Sequence, residues 1–434
     1  MMERIYGSEL SNYVDQKVKV AGWAHNLRRL GKVNFLTIRD VSGIFQVFLT
    51  ESEAIQLDDV LPESVVEVQG IVVAEAQASG GYEIHQPEIT VLSRVSEGLP
   101  FSINQPVLKA HLDTFLDYAP FGLRYPKKRA LFRLSAGVMQ GFRKYLDQQG
   151  FTELATPKLV ESATEGGANV FAVDYFGRPA YLAQSPQFYK QIMVGVFEKV
   201  YEVAPVFRAE PHATSRHLNE YISLDVEVGF IKNHFDVMAL LSHVIRAIFG
   251  HLQENYAYEL GELEIDMPAL PDVFPHIYFP DAQEFIYQQH QEDCRGEPDL
   301  APQHERWLGE WAKEEYQSDF LFVTGYPMKK RPFYTHPEPE NPIYSNSFDL
   351  LFRGTELVTG GQRLHLYEDY LQALKKQGIS DLQLFDGYLQ TFKYGMPPHG
   401  GFAIGLERLL MQLTGAPNLR ETVLFPRDIN RLSP

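Results

Sequence analysis

The spacing of apolar residues changes once along this chain, and that change constrains the fold more than any other feature. Over the first hundred residues, apolar and polar positions alternate in short runs: "VKVAGWA", "FLTIRD", "IFQVFL", "VVEVQGIVVAEA" and "EITVL". Gly, Ser and Asn separate them, as in "LGKVN" and "DVSG". A period of two marks a half-buried strand, and five such strands in this length suit a small closed barrel. From Leu131 the period becomes helical. Leu131, Leu134, Val138, Phe142 and Leu146 recur at three- and four-residue steps, and Gly150 supplies a stop. Between the two regimes, residues 99–128 carry four prolines and little periodicity, the pattern of a hinge.

The expected organisation is a barrel over 1–98, a hinge over 99–128 and a mixed domain over 129–434. A helical insertion is expected at about 234–313, where "VMALLSHVIRAIFGHL" is apolar enough for a buried helix. At 434 residues, 44% hydrophobic and 22% charged, the composition is that of a globular chain. No apolar run reads as a membrane span, and "MMERIYGSEL" carries no apolar signal core. The single cysteine, Cys294, excludes an internal disulfide and a Cys-rich zinc site. Together these point to the cytoplasm. The net charge of -17 argues against a polyanionic partner in bulk, yet binding follows the local field. Arg28, Arg29 and Lys32 form a small basic cluster near the start.

No phosphate loop of the G-x-x-x-x-G-K-[ST] kind, no H-E-x-x-H and no G-x-S-x-G occurs. Four other stretches concentrate polar residues. In "VAPVFRAEPHATSRHLNEYISLDVEVGF", Arg208, Glu210, His212, Arg216 and His217 crowd the turn between two strand-like ends. Two arginines eight apart can grip one polyanion from two directions, because each guanidinium is a planar fork of donors. The ordinary alternative is an ion-paired loop, with Glu210 answering Arg208. In "AQSPQFYKQIMVG", Gln184, Ser185, Gln187 and Lys190 sit among apolar neighbours at a Ser-Pro helix start. "SFDLLFRGTELVTGGQRLH" places Asp349 and Glu356 seven apart, so the "RG" turn must realign them if they act together on Mg²⁺. Its Gly360 and Gly361 permit close backbone approach, and Arg363 follows. "GMPPHGGFAIGLER" leads glycines into a helix whose start carries Arg408, a setting that favours anions.

Taken together, these stretches resemble the class II aminoacyl-tRNA synthetases. "GFTELATPKLV" resembles motif 1, with Pro157 at its centre; "FRAEPHATSRHLNEYISLDVE" resembles motif 2; "GGFAIGLERLL" resembles motif 3. The barrel is similar to that of the subgroup serving aspartate, asparagine and lysine. "ATEGGANVF", "AQSPQFYKQ" and "GGQR" resemble the aspartyl-tRNA synthetases of the compact archaeal type, over nearly the whole chain. The fold this implies is α+β and multidomain: an N-terminal OB-type β-barrel that reads an anticodon, then a class II catalytic domain with an antiparallel sheet flanked by helices.

The resemblance implies roles. Arg208 would bridge the ATP α-phosphate and the amino-acid carboxylate, and Glu210 would contact adenine. Arg216, His217 and Leu218 would touch the bent triphosphate, with Gly405 and Glu407 at the same site and Arg408 at the γ-phosphate. Asp349 and Glu356 would hold Mg²⁺, with Thr359 nearby. Lys190 and Arg363 would take the side-chain carboxylate of L-aspartate. Asp225 and Ser185 would hold its amino group, Gln187 would complete the pocket, and Glu165 in the "TEGG" loop would close over it. In the barrel, Phe35 would stack on a base and Gln46 hydrogen-bond one, although periodicity alone would place Phe35 in the barrel core. Pro157 would sit at a two-fold homodimer contact. Two departures stand out: Pro211 and Ala213 replace the usual Glu and Asn, and a second arginine after "GGQR" is missing.

Two forms of this family differ in breadth, one serving tRNA-Asp alone and one also charging tRNA-Asn. His25 and the stretch "EAQAS", ending in Ser79, occupy the discriminating positions, near Arg28. The histidine resembles the relaxed type; Ser79 stands where a proline would strengthen that reading. Charging of both tRNAs is the expectation, ahead of the strict enzyme. An asparaginyl enzyme ranks next, since that branch lacks the "QSPQ-x-YKQ" lysine. An amide-forming asparagine synthetase would lack the barrel, and a non-catalytic tRNA-binding regulator would have lost Arg208, Glu356 or Arg408.

Overall fold

Alternating residues do build a barrel. The computed structural model describes residues 2–161, 169–211, 214–379 and 382–433, except the side chain of residue 384. Strands β1 (Lys17–Arg29), β2 (Asn34–Arg39), β3 (Ile44–Leu49), β4 (Val65–Ala74) and β5 (Tyr82–Ser93) close in the order β1-β2-β3-β5-β4. Val20, Ile38, Val47, Val66, Val68 and Ile84 fill the interior with no exposed surface. The intervening residues of each strand face outward, as the pleat requires.

The chain forms two compact units, Met1–His111 and Leu112–Pro434. The expected hinge, 99–128, holds two short helices, Leu112–Asp117 and Ala119–Gly122, and its last residues open the helix Pro126–Gln148.

In the larger unit the strands are β6 (Thr152–Glu153), β7 (Leu159–Val160), β8 (Ala172–Tyr175), β9 (Arg178–Leu182), β10 (Lys199–Phe207) and β11 (Glu220–Gly229), followed by β12 (His276–Tyr278), β13 (Phe320–Thr324), β14 (Ser347–Phe352), β15 (Thr355–Gln362) and β16 (His399–Gly405). Eight of them form one sheet, β12-β13-β14-β15-β16-β11-β10-β6, antiparallel except at its two edge pairs. Strands β7, β9 and β8 form a separate small sheet.

Helix Pro126–Gln148 buries Leu134, Val138, Phe142 and Leu146 completely, the stripe that its spacing predicts. Its partner is the helix His234–Asn255, and both belong to the main core with Leu224, Val226, Phe402 and Ile404. The buried helix expected here is present, and the expectation of an insertion is corrected. The helix His234–Asn255 is long and apolar enough to cross a membrane by length and composition, but its apolar side lies in the core. Nor does the segment 234–313 stand apart as an insertion. Its first helix is central, β12 joins the sheet, and the helices Phe279–His290 and Pro302–Tyr316 pack a satellite cluster around Ile286, Leu308 and Val323.

Candidate active site

One cavity of about 390 Å³ opens on the large sheet, walled by β11, β14, β15, β16 and the start of the helix Gln187–Phe197. It gathers Ser185, Gln187, Lys190, Arg208, Glu210, Arg216, His217, Leu218, Asp225, Glu356, Thr359, Arg363, Gly405, Glu407 and Arg408. These come from four stretches spread over more than two hundred residues of sequence, so the fold makes the convergence. Glu165 lies outside the described residues, as do 212–213 in the hairpin turn.

The deep end is a closed ion network. Lys190 is 1% exposed. Its Nζ donates to Asp225 Oδ1 at 2.9 Å and lies 3.3 Å from Glu227 Oε2. Arg363 Nε donates to the other Glu227 oxygen at 2.9 Å, and its Nη2 to Gly401 O at 3.0 Å. Asp225 also accepts from Ser223 Oγ. Burial pushes the Glu227 carboxyl up, but Arg363 and Lys190 outweigh it and hold it below the ordinary value. Two cations and two anions thus cancel before any substrate enters. Lys190 is not a spare cation, since Asp225 and Glu227 already occupy it. Gly401 belongs to the same device: a Cβ there would lie 2.2 Å from Glu227 Oε2.

At the outer end the hairpin β10–β11 carries Arg208, Glu210 and His217. Arg208 lies 4.0 Å from Glu210 and over the Tyr221 ring, and His217 Nε2 is 3.4 Å from Glu210. Arg408 donates to the Glu356 carbonyl at 3.2 Å. Glu407 is 5% exposed, and both its oxygens accept the Ile222 N–H, at 3.0 and 3.2 Å. It ties the helix Leu406–Thr414 to β11, so its carboxylate is committed to the fold. Leu218 likewise packs with Met411 and Leu419.

The turn Arg353–Gly354 has φ of 48° and 70°, the primed hairpin geometry. A bulge between Leu350 and Leu351 shifts the register. Asp349 then faces Thr359, and the realignment that the odd spacing demanded is made. Thr359 Oγ1 donates to Glu356 Oε1 at 3.2 Å. Asp349, 4% exposed, takes Arg331 Nη2 at 3.0 Å. Burial, and then Glu356 against the relief given by Arg331, leave Asp349 at about 6. Burial and the neighbouring Glu356 push Glu305 up to about 7. Among the described residues no three His, Cys, Asp or Glu form a ready metal cage. Mg²⁺ needs no such cage, because it takes one or two carboxylates and completes its shell with phosphate and water. Crowded hard-oxygen donors beside a cavity fit that ion. Gly360 lines the cavity, and a Cβ there would also meet the Phe348 ring at 2.5 Å.

On the barrel, Phe35 faces outward rather than into the core, because Leu36 takes the inward position. It pairs across the strands with exposed Arg28 on one side and Phe48 on the other. Phe48 stacks on His85 at 4.7 Å. Gln46 Nε2 donates to Glu83 at 2.8 Å, and Glu83 also meets His85 Nε2 at 2.6 Å. Ser79 is exposed at a tight turn. His25 is 9% exposed, with Nδ1 buried and unpartnered. Burial and then Arg39 hold it below its usual value.

Sequence reasoning missed Glu227, Glu305 and Arg331. Glu227 was findable: it stands two residues after Asp225 on one strand, hence on the same face. Glu305 had no signal, since its place depends on how the helix Pro302–Tyr316 docks on the β14–β15 turn.

Residues 111–429 match the family described as tRNA synthetases class II (D, K and N), and residues 18–92 match the OB-fold nucleic acid binding domain. The chain is 48% identical to the Aspartate--tRNA(Asp/Asn) ligase of Thermus thermophilus, over 99% of this chain and 100% of the relative. It is 40% identical to the Aspartate--tRNA(Asp) ligase of Pyrococcus horikoshii, over the full length of both. Among solved structures, asparaginyl-tRNA synthetase from Pyrococcus horikoshii complexed with asparaginyl-adenylate superposes with a TM-score of 0.92 at 32% identity, covering both chains completely. The chain belongs to the class II tRNA synthetases of the aspartate, lysine and asparagine group, and its activity is that of an aspartate--tRNA ligase.

Proposed function

We propose that this ligase charges both tRNA-Asp and tRNA-Asn with aspartate, as a Mg²⁺-dependent homodimer of the cytoplasm. The aspartate α-carboxylate attacks the α-phosphorus of ATP and pyrophosphate leaves. The terminal ribose hydroxyl of tRNA then attacks the aspartyl carbonyl, and AMP leaves. The first nucleophile is already an anion, so no general base is required. Catalysis is positioning and charge neutralisation. Arg208 neutralises the α-phosphate and Arg408 the γ-phosphate. Glu356 and Thr359, with Asp349 behind them, are the donors for Mg²⁺, which supplies further charge neutralisation on the phosphates. The observation that carries this reading is the single cavity joining Arg208 and Arg408 to Lys190, Asp225 and Arg363.

The closed network refines the choice of aspartate. Lys190 and Arg363 are already balanced by Asp225 and Glu227. An aspartate brings a carboxylate for Arg363 and an ammonium for Asp225, so the site stays neutral throughout. Asparagine would bring the ammonium without the side-chain carboxylate and leave the buried site with one positive charge in excess, which is costly. That favours the aspartyl reading over the asparaginyl one, despite the structural likeness.

Two observations support charging of tRNA-Asn. Relatives at 48%, 45%, 43% and 41% identity are named Aspartate--tRNA(Asp/Asn) ligases. Burial, and then Arg39, favour the neutral form of His25, whose ring can donate or accept according to tautomer. The test is aminoacylation of purified tRNA-Asp and tRNA-Asn with labelled aspartate. Comparable efficiencies support the dual reading. A thousandfold preference for tRNA-Asp would leave the strict enzyme.

A further inference from the structure

Behind the aspartate end of the cavity lies a chain of buried hydrogen bonds that the reaction as described does not use. His399 is fully buried, and its Nδ1 is 2.9 Å from the Pro397 carbonyl. A carbonyl only accepts, so Nδ1 carries the proton. In the neutral ring, Nε2 is then an acceptor. Gln191, also fully buried, places its Nε2 2.9 Å from His399 Nε2 and donates there. The second Nε2 proton of Gln191 goes to Tyr370 Oη at 3.0 Å, and Tyr370 donates onward to Leu364 O at 2.9 Å. The Gln191 amide therefore cannot turn without setting donors against donors. Its Oε1 accepts from Gln187 Nε2 at 3.0 Å. Gln187 in turn is 4% exposed and lines the cavity.

We propose that Gln191 and His399 are positioning residues that fix the direction of the Gln187 amide, so that Gln187 presents its carbonyl oxygen to the substrate. Each link has one allowed polarity, and the direction is set at two carbonyls that can only accept, Pro397 O through His399 and Leu364 O through Tyr370. A carbonyl oxygen at the cavity wall suits a donor. In the aspartate site that donor is the α-ammonium, next to Asp225 and Ser185. The opposite orientation would aim an N–H at the ammonium and remove that contact. An unpaired polar group in a buried site costs about the worth of one hydrogen bond or more. The inference rests on the aspartate-pocket reading proposed above, and deepens it.

The test is aspartate-dependent exchange of pyrophosphate into ATP, with KM measured separately for aspartate and ATP. H399F removes the acceptor at Nε2, leaves Tyr370 and Tyr388 as the remaining partners of Gln191 besides Gln187, and so loosens the Gln191 and then the Gln187 amide. H399Q restores an amide oxygen close to the Nε2 position. The expected result is a rise of roughly tenfold in the aspartate KM for H399F, an unchanged ATP KM, and recovery to within about threefold for H399Q. Q191L should behave as H399F does, and serves if H399F does not fold. Equal aspartate KM values for H399F and H399Q, or a parallel rise in both substrates' KM, would mean that His399 only packs and would overturn the proposal. Q187M locates such a failure. If Q187M leaves the aspartate KM unchanged, the pocket assignment itself is wrong. If Q187M raises it while H399F and Q191L do not, the pocket stands and the relay is wrong.

Discussion

The catalytic cavity and the outer face of the barrel both meet charged partners, but they are built on opposite plans. In the cavity nearly every charge is answered before substrate arrives: Lys190 by Asp225 and Glu227, Arg363 by Glu227, Asp349 by Arg331. On the barrel, Phe35 and Phe48 offer ring faces on a half-exposed wall, Arg28 is solvated, and the fixed polar contacts beside the Phe48 ring are those of Gln46, Glu83 and His85. Chemistry on a phosphate favours charges that need not reorganise during reaction, and the paired network of the cavity is of that kind. Reading a single-stranded loop needs surfaces that stack on any base, with a few directional groups for choice. The cavity should therefore fail abruptly when one residue is removed, and the barrel gradually.

The largest effect should come from the phosphate end. On the proposed mechanism, R408A and R208A each delete a cation where charge builds in the transition state. Exchange of pyrophosphate into ATP should fall at least about a hundredfold to a thousandfold, with the fold retained by circular dichroism. Near-normal exchange in either variant would remove that arginine from the reaction and weaken the contrast at its strongest point.

K190L comes next. It strands Asp225 and Glu227 beside one arginine, and breaking a buried pair on one side costs about 3–5 kcal/mol. We expect a lowered unfolding midpoint and a strongly raised aspartate KM, with the ATP KM little changed. If stability fell while aspartate kinetics held, the network would be a structural strut and not a recognition device.

How much of this was legible in the sequence follows the same division. Periodicity placed the barrel strands and the helix Pro126–Gln148, because a closed barrel and a half-buried helix both impress their spacing on the chain. It misplaced the segment 234–313, since a helix apolar over most of its surface looks the same whether it is inserted or central. It also favoured the core for Phe35, although strict alternation about Leu36 points it outward. The motifs located the arginines and acids but not their partners. Glu227 could be placed by its register with Asp225, whereas Arg331 and Gln191 act through contacts between segments distant in sequence. Nothing local in the chain announces such contacts.

F35A tests the gradual side. Loss of one base-stacking ring is worth about 1–3 kcal/mol, so the KM for tRNA should rise roughly tenfold while pyrophosphate exchange stays at the unaltered rate. A drop in exchange would mean that the barrel face supports the catalytic unit and that the two plans are not separable. An unchanged tRNA KM would remove Phe35 from the recognition surface.

The smallest effect concerns Glu407, which lies at the cavity yet is committed to the fold. Burial pushes its carboxyl up to about 7, against the Ile222 N–H that favours the charged form. The unfolded chain titrates near the ordinary 4.5. Between these values the folded state holds the proton more tightly than the unfolded state does. Stability from this group is therefore fully present below about pH 4.5 and is lost as pH rises through 7. E407Q keeps an oxygen for Ile222 and removes the titration. It should match the unaltered chain at pH 4.5 and exceed it at pH 8 by about 1–2 kcal/mol, read as a difference in urea unfolding. Asp349 and Glu305 titrate upward of their usual values in both chains, so their shared contribution cancels in that comparison. An E407Q chain that lost stability equally at both pH values would show that the carboxylate is held ionised by its backbone contact, and that even this corner of the cavity is arranged around charge.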